Sequence, residues 1–267
     1  MTPLLSNYEP ALRLGAAIAI ALIMALWEVV APRRPLSLLR RRRWTINFTV
    51  IALNIGFVRL LFPIAVVAGV AQAAAQNGWG LLNALPLPAG ANFAIALVAL
   101  DLLIYGQHVA FHHWPLLWRL HRMHHIDLDM DFTTGLRFHP VEIIISVLLK
   151  VAAVMALGAP VAAVVAFEIM LNGTALFNHG NVRLPAVVDR VVRLVIVTPD
   201  MHRVHHSVLR AETDSNFGFA LSLWDRMFGT YRAQPQAGHD AMIIGQPDFR
   251  DDNAQGLWAT LTNPLRP

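Results

Sequence analysis

The chain has 267 residues, of which 56% are hydrophobic and only 14% are charged, and its net charge is +4. Soluble domains carry about 25% charged residues, so this composition is typical of a membrane protein. The sequence contains no cysteine, which excludes disulfides, thiolate zinc sites, iron–sulfur clusters and a cysteine nucleophile, and its basic residues do not follow a nucleic-acid-binding pattern, so no nucleic-acid partner is expected.

Two apolar stretches predict transmembrane helices in the N-terminal third, at residues 11–31 and from 46 to about 75. The segment between them, residues 32–43, holds six arginines, whereas residues 72–92 carry no charge. Positive charge concentrates on the cytoplasmic side of membrane proteins, so we expect this arginine-rich loop to be cytoplasmic. Residues 1–92 would then form an N-terminal membrane anchor with two transmembrane helices.

Three further apolar segments follow in the middle of the chain. The segment from Phe93 to about Phe111 would descend from the outer side toward the cytoplasm. Residues 141–177 then predict a membrane hairpin, broken at residues 158–160, where glycine and proline stop a helix. Each arm has about 17 residues, the lower limit for crossing a bilayer, so the hairpin would be tilted, short or re-entrant. Both of its ends return to the cytoplasmic side.

The remaining segments predict a cytoplasmic cap. In residues 186–197 the valines and leucine cluster on one helix face while Asp189, Arg190 and Arg193 mark the other, a pattern typical of an amphipathic helix at the membrane interface. Thr198 and Pro199 supply an N-cap and a first-turn proline, so a new helix should begin there. Residues 93–233 are expected to form the catalytic domain, and residues 234–267 a polar C-terminal tail.

Histidines are concentrated in this second half of the chain, where eleven of the twelve lie between positions 108 and 206. On a helix, residues three or four apart share a face, while adjacent residues diverge by about 100°, so an adjacent pair can serve two metals. Imidazole suits iron, zinc, copper and nickel, and so many ligands exceed the needs of one ion. The groups are HxxxH (His108, His112), two HxxHH boxes (His121, His124, His125 and His202, His205, His206), and the isolated His139 and His179.

These motifs resemble the membrane-bound fatty acid hydroxylase and sterol desaturase superfamily. The resemblance rests on DLLIYGQHVAFHHWPLLWRLHRMHH, TTGLRFHPVE, FNHGNVRLP, TPDMHRVHHS and NFGFALSLWDRMFGTY, and covers about residues 95–232. It implies an all-α fold: an integral-membrane helical bundle of about four or five membrane segments with a cytoplasmic helical cap carrying a histidine-rich dimetal site. Such a protein would be a multi-pass integral membrane protein of the bacterial inner membrane or of an ER-like membrane.

The resemblance also implies the chemistry. Two iron ions, O₂ and two electrons would hydroxylate or desaturate a C–H bond of a lipid, with electrons from a separate reductase, ferredoxin or b-type cytochrome. The implied ligands are the eight box histidines and His179, with His139 as a tenth candidate, while His113 and His239 are not expected to bind metal. Nearby acids could be hydrogen-bond partners of the ligands: Asp101, Asp127, Asp129 and Asp131. The alternative for Asp127, Asp129 and Asp131 is that they form a solvated loop.

Other classes of protein remain alternatives at this point. A membrane cytochrome would bind haem through paired histidines, but two axial ligands per haem leave most of the boxes unexplained. A divalent-metal transporter would place its ligands near mid-membrane, and a metalloprotease would show HExxH, which is absent from the sequence.

Overall fold

The computed structural model describes residues 3–62 and 66–266, and within these ranges it is helical with no β-strand. Short 3₁₀-helices occupy Phe132–Leu136 and Asn263–Leu265. The α-helices are α1 (Pro3–Val30), α2 (Arg40–Leu61), α3 (Val66–Asn77), α4 (Leu81–Ala84), α5 (Ala89–His113), α6 (Pro115–His125), α7 (Pro140–Leu157), α8 (Val161–Asn178), α9 (Ala186–Val192), α10 (Pro199–His205), α11 (Arg210–Thr213), α12 (Leu223–Met227), α13 (Gly238–Ala241) and α14 (Leu257–Leu261).

Five helices of the described chain are long and apolar enough to cross a membrane: α1 from Ala11 onward, α2, α5, α7 and α8. This confirms the predicted number of membrane segments. The hairpin of α7 and α8 turns where the sequence indicates. Gly158 adopts a left-handed conformation, with φ of 66°, and its N–H donates to the carbonyls of Val154 and Met155, which closes the last turn of α7.

The second predicted span differs from the structure at both ends. Helix α2 already begins at Arg40, so four arginines assigned to the loop form its first turn. Arginine is a good helix former, and Arg43 turns inward, where it is buried. The apolar stretch predicted to run to about residue 75 is two helices, because α2 ends at Leu61 and α3 begins at Val66; residues 63–65 lie outside the described chain.

The membrane bundle packs around α8, which contacts α1, α3 and α5. Its core is formed by apolar side chains such as Leu100 of α5, Val154 of α7 and Phe167 of α8, all at most 1% exposed. In contrast, many side chains of α1, including Leu22 and Leu26, are more than 60% exposed, as expected of a lipid-facing surface. This bundle fixes the ends of α5, α7 and α8 that carry or adjoin the histidines.

The cap covers those ends. Thr198 caps α10 by accepting from the Met201 N–H, and Pro199 occupies the first turn, as predicted. Helix α9 ends at Val192, before the predicted end at residue 197. None of its side chains is buried, and Val187, Val188 and Val191 are exposed, which suits the predicted interfacial position. The C-terminal residues pack against the cap rather than extending away from it, since Gln255 donates to the carbonyl of Ile126.

Candidate metal centre

Five buried imidazoles from three helices converge as a first group: His108 and His112 of α5, His121 and His125 of α6, and His205 of α10. One ring nitrogen of each lies within 4.8 Å of one nitrogen of every other member. The HxxxH spacing places both α5 side chains on one face of that helix, and the first and last histidines of the HxxHH box do the same on α6.

Four buried imidazoles form a second group under the same distance limit: His124 of α6, His179 at the end of α8, and His202 and His206 of the second HxxHH box. The groups are neighbours, because the rings of His125 and His206 stack with centroids 4.6 Å apart. The adjacent pairs His124–His125 and His205–His206 are each divided between the two groups, as the 100° divergence along a helix allows.

Backbone carbonyls orient several of these rings. The Nδ1 atoms of His108 and His205 lie 2.7 Å from the carbonyl oxygens of Phe217 and Ser215, and His179 Nδ1 lies 2.7 Å from the carbonyl of Ala175. A carbonyl only accepts, so Nδ1 carries the proton in each ring and Nε2 presents its lone pair. The backbone thus selects the tautomer that suits a metal ligand.

Two carboxylates perform the same task. Glu142, in the first turn of α7, accepts from His121 Nδ1 at 2.7 Å, and Asp214 lies 3.3 Å from His112 Nδ1. Asp214 is held in turn by Arg210, whose Nε donates to it at 2.5 Å. All nine ligand candidates are uncharged donors when deprotonated, so these two acids supply negative charge next to a site for cations.

Several ring nitrogens of the nine clustered histidines lack partners. Among the described residues, Nε2 of each of His108, His112, His121 and His205 is buried without a hydrogen bond, and so are both ring nitrogens of His125 and His206. In the second group, His179 Nε2 lies 3.0 Å from the Nε2 atoms of both His124 and His202.

These contacts fit a bound metal. Two imidazole nitrogens at about 2.1 Å from one ion, separated by 90°, lie roughly 3.0 Å apart. Lone pairs at that distance repel one another unless a proton or a metal cation lies between them, and buried polar atoms are rarely left unsatisfied. The donor set is all nitrogen, which suits iron or another first-row transition metal.

Burial keeps the rings neutral and therefore competent to bind metal. It lowers the pKa of His205 and of His179 to about 3, although hydrogen bonds to the Ser215 and Ala175 carbonyls oppose the shift. Burial also holds the pKa of His124 and His206 well below the ordinary value, with neighbouring imidazoles adding to the effect.

A cavity of about 160 Å³ adjoins the first group. His108 and His121 form one end, and the cavity extends between α5, α7 and α8 into the membrane bundle, where Lys150 also lines it. Most of the remaining wall is apolar, with Ile104, Phe111, Leu136, Phe138, Ile143, Leu171 and Phe219 among the lining residues. An apolar chain would fit this space with one of its carbons beside the imidazoles.

The structure brings together nine of the ten predicted ligands. His139 lies in neither group; it caps α7, its Nδ1 accepting from the Val141 N–H and its Nε2 lying 3.2 Å from the Leu261 carbonyl. Both ring nitrogens are therefore occupied by the fold. His113 is exposed, with Nδ1 on the carbonyl of Val109.

The acids suggested as partners of the ligands have other roles. Asp101 binds the indole N–H of Trp224. Asp127 and Asp131 are buried and pair with Arg43 of α2. They therefore form neither a solvated loop nor hydrogen bonds to the ligand histidines. Sequence reasoning missed Glu142 and Asp214, the acids that do contact ligands. For Glu142 a signal existed, since it follows the predicted hairpin start in the motif RFHPVE.

The chain is similar in sequence to several known proteins. A profile of the fatty acid hydroxylase family matches residues 93–230. The chain is 29% identical over 180 residues to ornithine lipid hydroxylase OlsE of Rhizobium tropici, covering 67% of this chain and 51% of that protein. It is 26% identical over 144 residues to human alkylglycerol monooxygenase, covering 52% of this chain and 30% of that protein. It is 30% identical over 174 residues to the very-long-chain aldehyde decarbonylase GL1-1 of Oryza sativa, covering 61% of this chain and 28% of that protein. It therefore spans about half or less of these relatives, and no solved structure matches it.

Proposed function

This chain belongs to the fatty acid hydroxylase family, and on that premise we propose that it is a membrane-bound, non-haem di-iron oxidoreductase that uses O₂ and two electrons to hydroxylate a C–H bond of a lipid. The observation that carries the proposal is the pair of imidazole groups, five and four donors, buried beside an apolar cavity within the bundle. Desaturation of the same lipid position is the alternative outcome.

The nine clustered histidines would hold the two irons, five on one and four on the other. When bound, this pair supplies the O₂ activation and hydrogen abstraction that no amino-acid side chain provides. His139 is left out of the proposed ligand set because its ring nitrogens serve the backbone of α7 and α14.

The chain itself would orient and protect the reacting carbon. The cavity aligns a lipid chain so that one carbon lies at His108 and His121. Phe138 stacks on His124 with ring centroids 4.6 Å apart, and Phe217 packs against His112 at 5.1 Å. These aromatic walls exclude water from the imidazoles, which protects a reactive centre from side reactions.

The names of the relatives support a lipid substrate: ornithine lipid for one protein and alkylglycerol for another. These two relatives are named as a hydroxylase and a monooxygenase, so we favour hydroxylation over desaturation for this chain. The proposed active site lies on the cytoplasmic side, supported by the arginines that precede and begin α2. Electrons would come from a separate reductase, ferredoxin or b-type cytochrome.

The haem alternative fits the geometry poorly. A six-coordinate haem takes two imidazoles on opposite faces of a flat macrocycle that fills the plane between them. In each group here, at least four imidazole donor atoms lie within 4.8 Å of one another, so two axial ligands would leave further imidazoles in the space that the macrocycle needs. The cluster leaves no slot for a macrocycle.

Two measurements test the proposal together. Metal analysis of the purified protein, with its absorption spectrum, should give about two irons per chain and no Soret band. Comparative lipid mass spectrometry of cells with and without the gene should show one lipid class gaining an oxygen atom, 16 mass units, or losing two hydrogens. A Soret band, or iron-loaded protein with an unchanged lipid profile, would contradict it.

A further inference from the structure

Lys150 is an unusual residue for its position. It is the single lysine of the chain, it lies in the middle of membrane helix α7, and it lines the same cavity as His108 and His121. Ionisable side chains at membrane depth are costly and usually mark a binding site or a pathway. The proposed metal chemistry makes no use of this ammonium group.

The local ion pair engages Lys150 only loosely. Its Nζ lies 3.7 Å from Oε1 of Glu168 on α8, whereas Oε2 of that glutamate lies 2.6 Å from a guanidinium nitrogen of Arg13. A distance of 3.7 Å exceeds that of a well-formed hydrogen bond, and an ammonium has three N–H donors. Glu168 therefore compensates the charge of Lys150, while the N–H donors of Lys150 can still form hydrogen bonds with a group in the cavity.

Polar side chains of two helices line the cavity near Lys150: Ser146 lies one turn earlier on α7, and Asn172 lies four residues after Glu168 on α8. Gln107 of α5 adds a polar group at the histidine end, since it directly precedes His108. Gln107 Oε1 is buried and has no hydrogen-bond partner among the described residues. A cavity shaped only for a hydrocarbon chain would not need donors and an acceptor on its wall, since each costs desolvation when an alkyl chain covers it.

Helix geometry gives the spacing between this polar region and the histidines. Glu142, which binds His121, and Lys150 are eight residues apart on α7, with Ser146 midway. At 1.5 Å per residue, their Cα atoms are separated by about 12 Å along the axis. The cavity thus has a histidine end toward the cap and a polar region about 12 Å deeper in the bundle.

We infer that Lys150 and its polar neighbours bind an oxygen-bearing group of the lipid substrate, a hydroxyl, carbonyl or carboxylate, and thereby fix which carbon lies at the imidazoles. This inference rests on the proposed function and names the chemistry of its substrate: a lipid with a hydrogen-bond-accepting oxygen about 12 Å from the oxidised carbon. Lys150 is accordingly a positioning residue that sets regiochemistry.

A binding assay tests the inference without requiring turnover. The iron-loaded protein in phosphatidylcholine nanodiscs is titrated with tritiated hexadecan-1-ol, with hexadecane and hexadecanoic acid as competitors, and empty nanodiscs give the background. The wild type should prefer the alcohol to the alkane by about tenfold, and Lys150→Met should lose this preference while Lys150→Gln keeps part of it. A preference for the acid over the alcohol would identify the group as a carboxylate.

The control is Leu148→Met, which changes a neighbouring lipid-facing side chain, 51% exposed, on the same helix. It should bind all three ligands as the wild type does. Equal binding of alkane and alcohol by the wild type, or an unchanged preference in folded, iron-loaded Lys150→Met, would overturn the inference whether or not a lipid product is found.

Once the product lipid is known, regiochemistry provides a second readout. Tandem mass spectrometry should find the new oxygen on one carbon in the wild type and spread over neighbouring carbons in Lys150→Met. A purely structural lysine would lower the yield without moving the oxygen. A single unchanged regioisomer from Lys150→Met would refute the positioning role even if the proposed hydroxylation is correct.

Discussion

The contact between Glu142 and His121 allows a quantitative prediction. Glu142→Gln keeps the shape of the side chain but removes the negative charge from a buried contact of 2.7 Å. Loss of a residue that orients a metal ligand typically costs 10–100-fold in metal affinity, which corresponds to about 1.4–2.7 kcal/mol. Because both side chains are almost completely buried, water cannot replace the carboxylate, and we expect the upper part of that range.

The assay is a chelator competition on the purified protein in detergent. Ferrozine titration of the iron-loaded variant should give an iron affinity about 30- to 100-fold lower than that of the wild type. The matched control is Glu212→Gln, which alters another buried glutamate, one that binds the Gln236 N–H rather than a histidine. Wild-type iron retention in Glu142→Gln would refute the role of Glu142 in orienting His121.

Three further predictions concern the centre and its support. His205→Ala should lose iron and turnover because it deletes a first-group donor, whereas His239→Ala, which removes a buried histidine outside both groups, should keep the iron content measured by plasma emission spectroscopy. Arg43→Met should destabilise the protein by about 3–5 kcal/mol, since it leaves two buried aspartates without their cation; an unchanged apparent melting temperature would contradict this. In Gly135→Ala the new Cβ would lie 2.6 Å from the carbonyl that orients a second-group histidine, so iron content should fall, while Gly90→Ala, with open space around its Cβ, should match the wild type.

Relations within one helix were predictable from the sequence. The HxxHH spacing at His121–His125 places imidazoles on a shared face, and hydropathy marks all five membrane segments. The Thr198 cap was predictable because an N-cap, a first-turn proline and the following helix are consecutive in the chain. Such features depend on the regular geometry of the helix, which sequence spacing encodes directly.

Relations between helices were less accessible. The sequence after the His121–His125 box offers three acids, but it does not show that Asp127 pairs with an arginine 84 residues earlier, which is a result of tertiary packing. His139 has the residue type of a ligand, yet its place at the start of α7 directs its ring to backbone partners. Asp214 carries no spacing signal at all, since it reaches His112 across 102 residues.

The burial of Arg43 has a consequence for how the protein can be divided. Arg43 and Asn47 of α2 bind Asp127 and Thr133, which follow the His121–His125 box. Glu28 of α1 accepts a hydrogen bond from the backbone N–H of Asn181, near His179. A fragment trimmed to the family-matched region would leave these buried polar groups without their counterparts. Excision of the N-terminal helices should therefore give a misfolded product. Chimaeras that exchange these helices between relatives should fold only when the arginine and the aspartates that pair with it are both present.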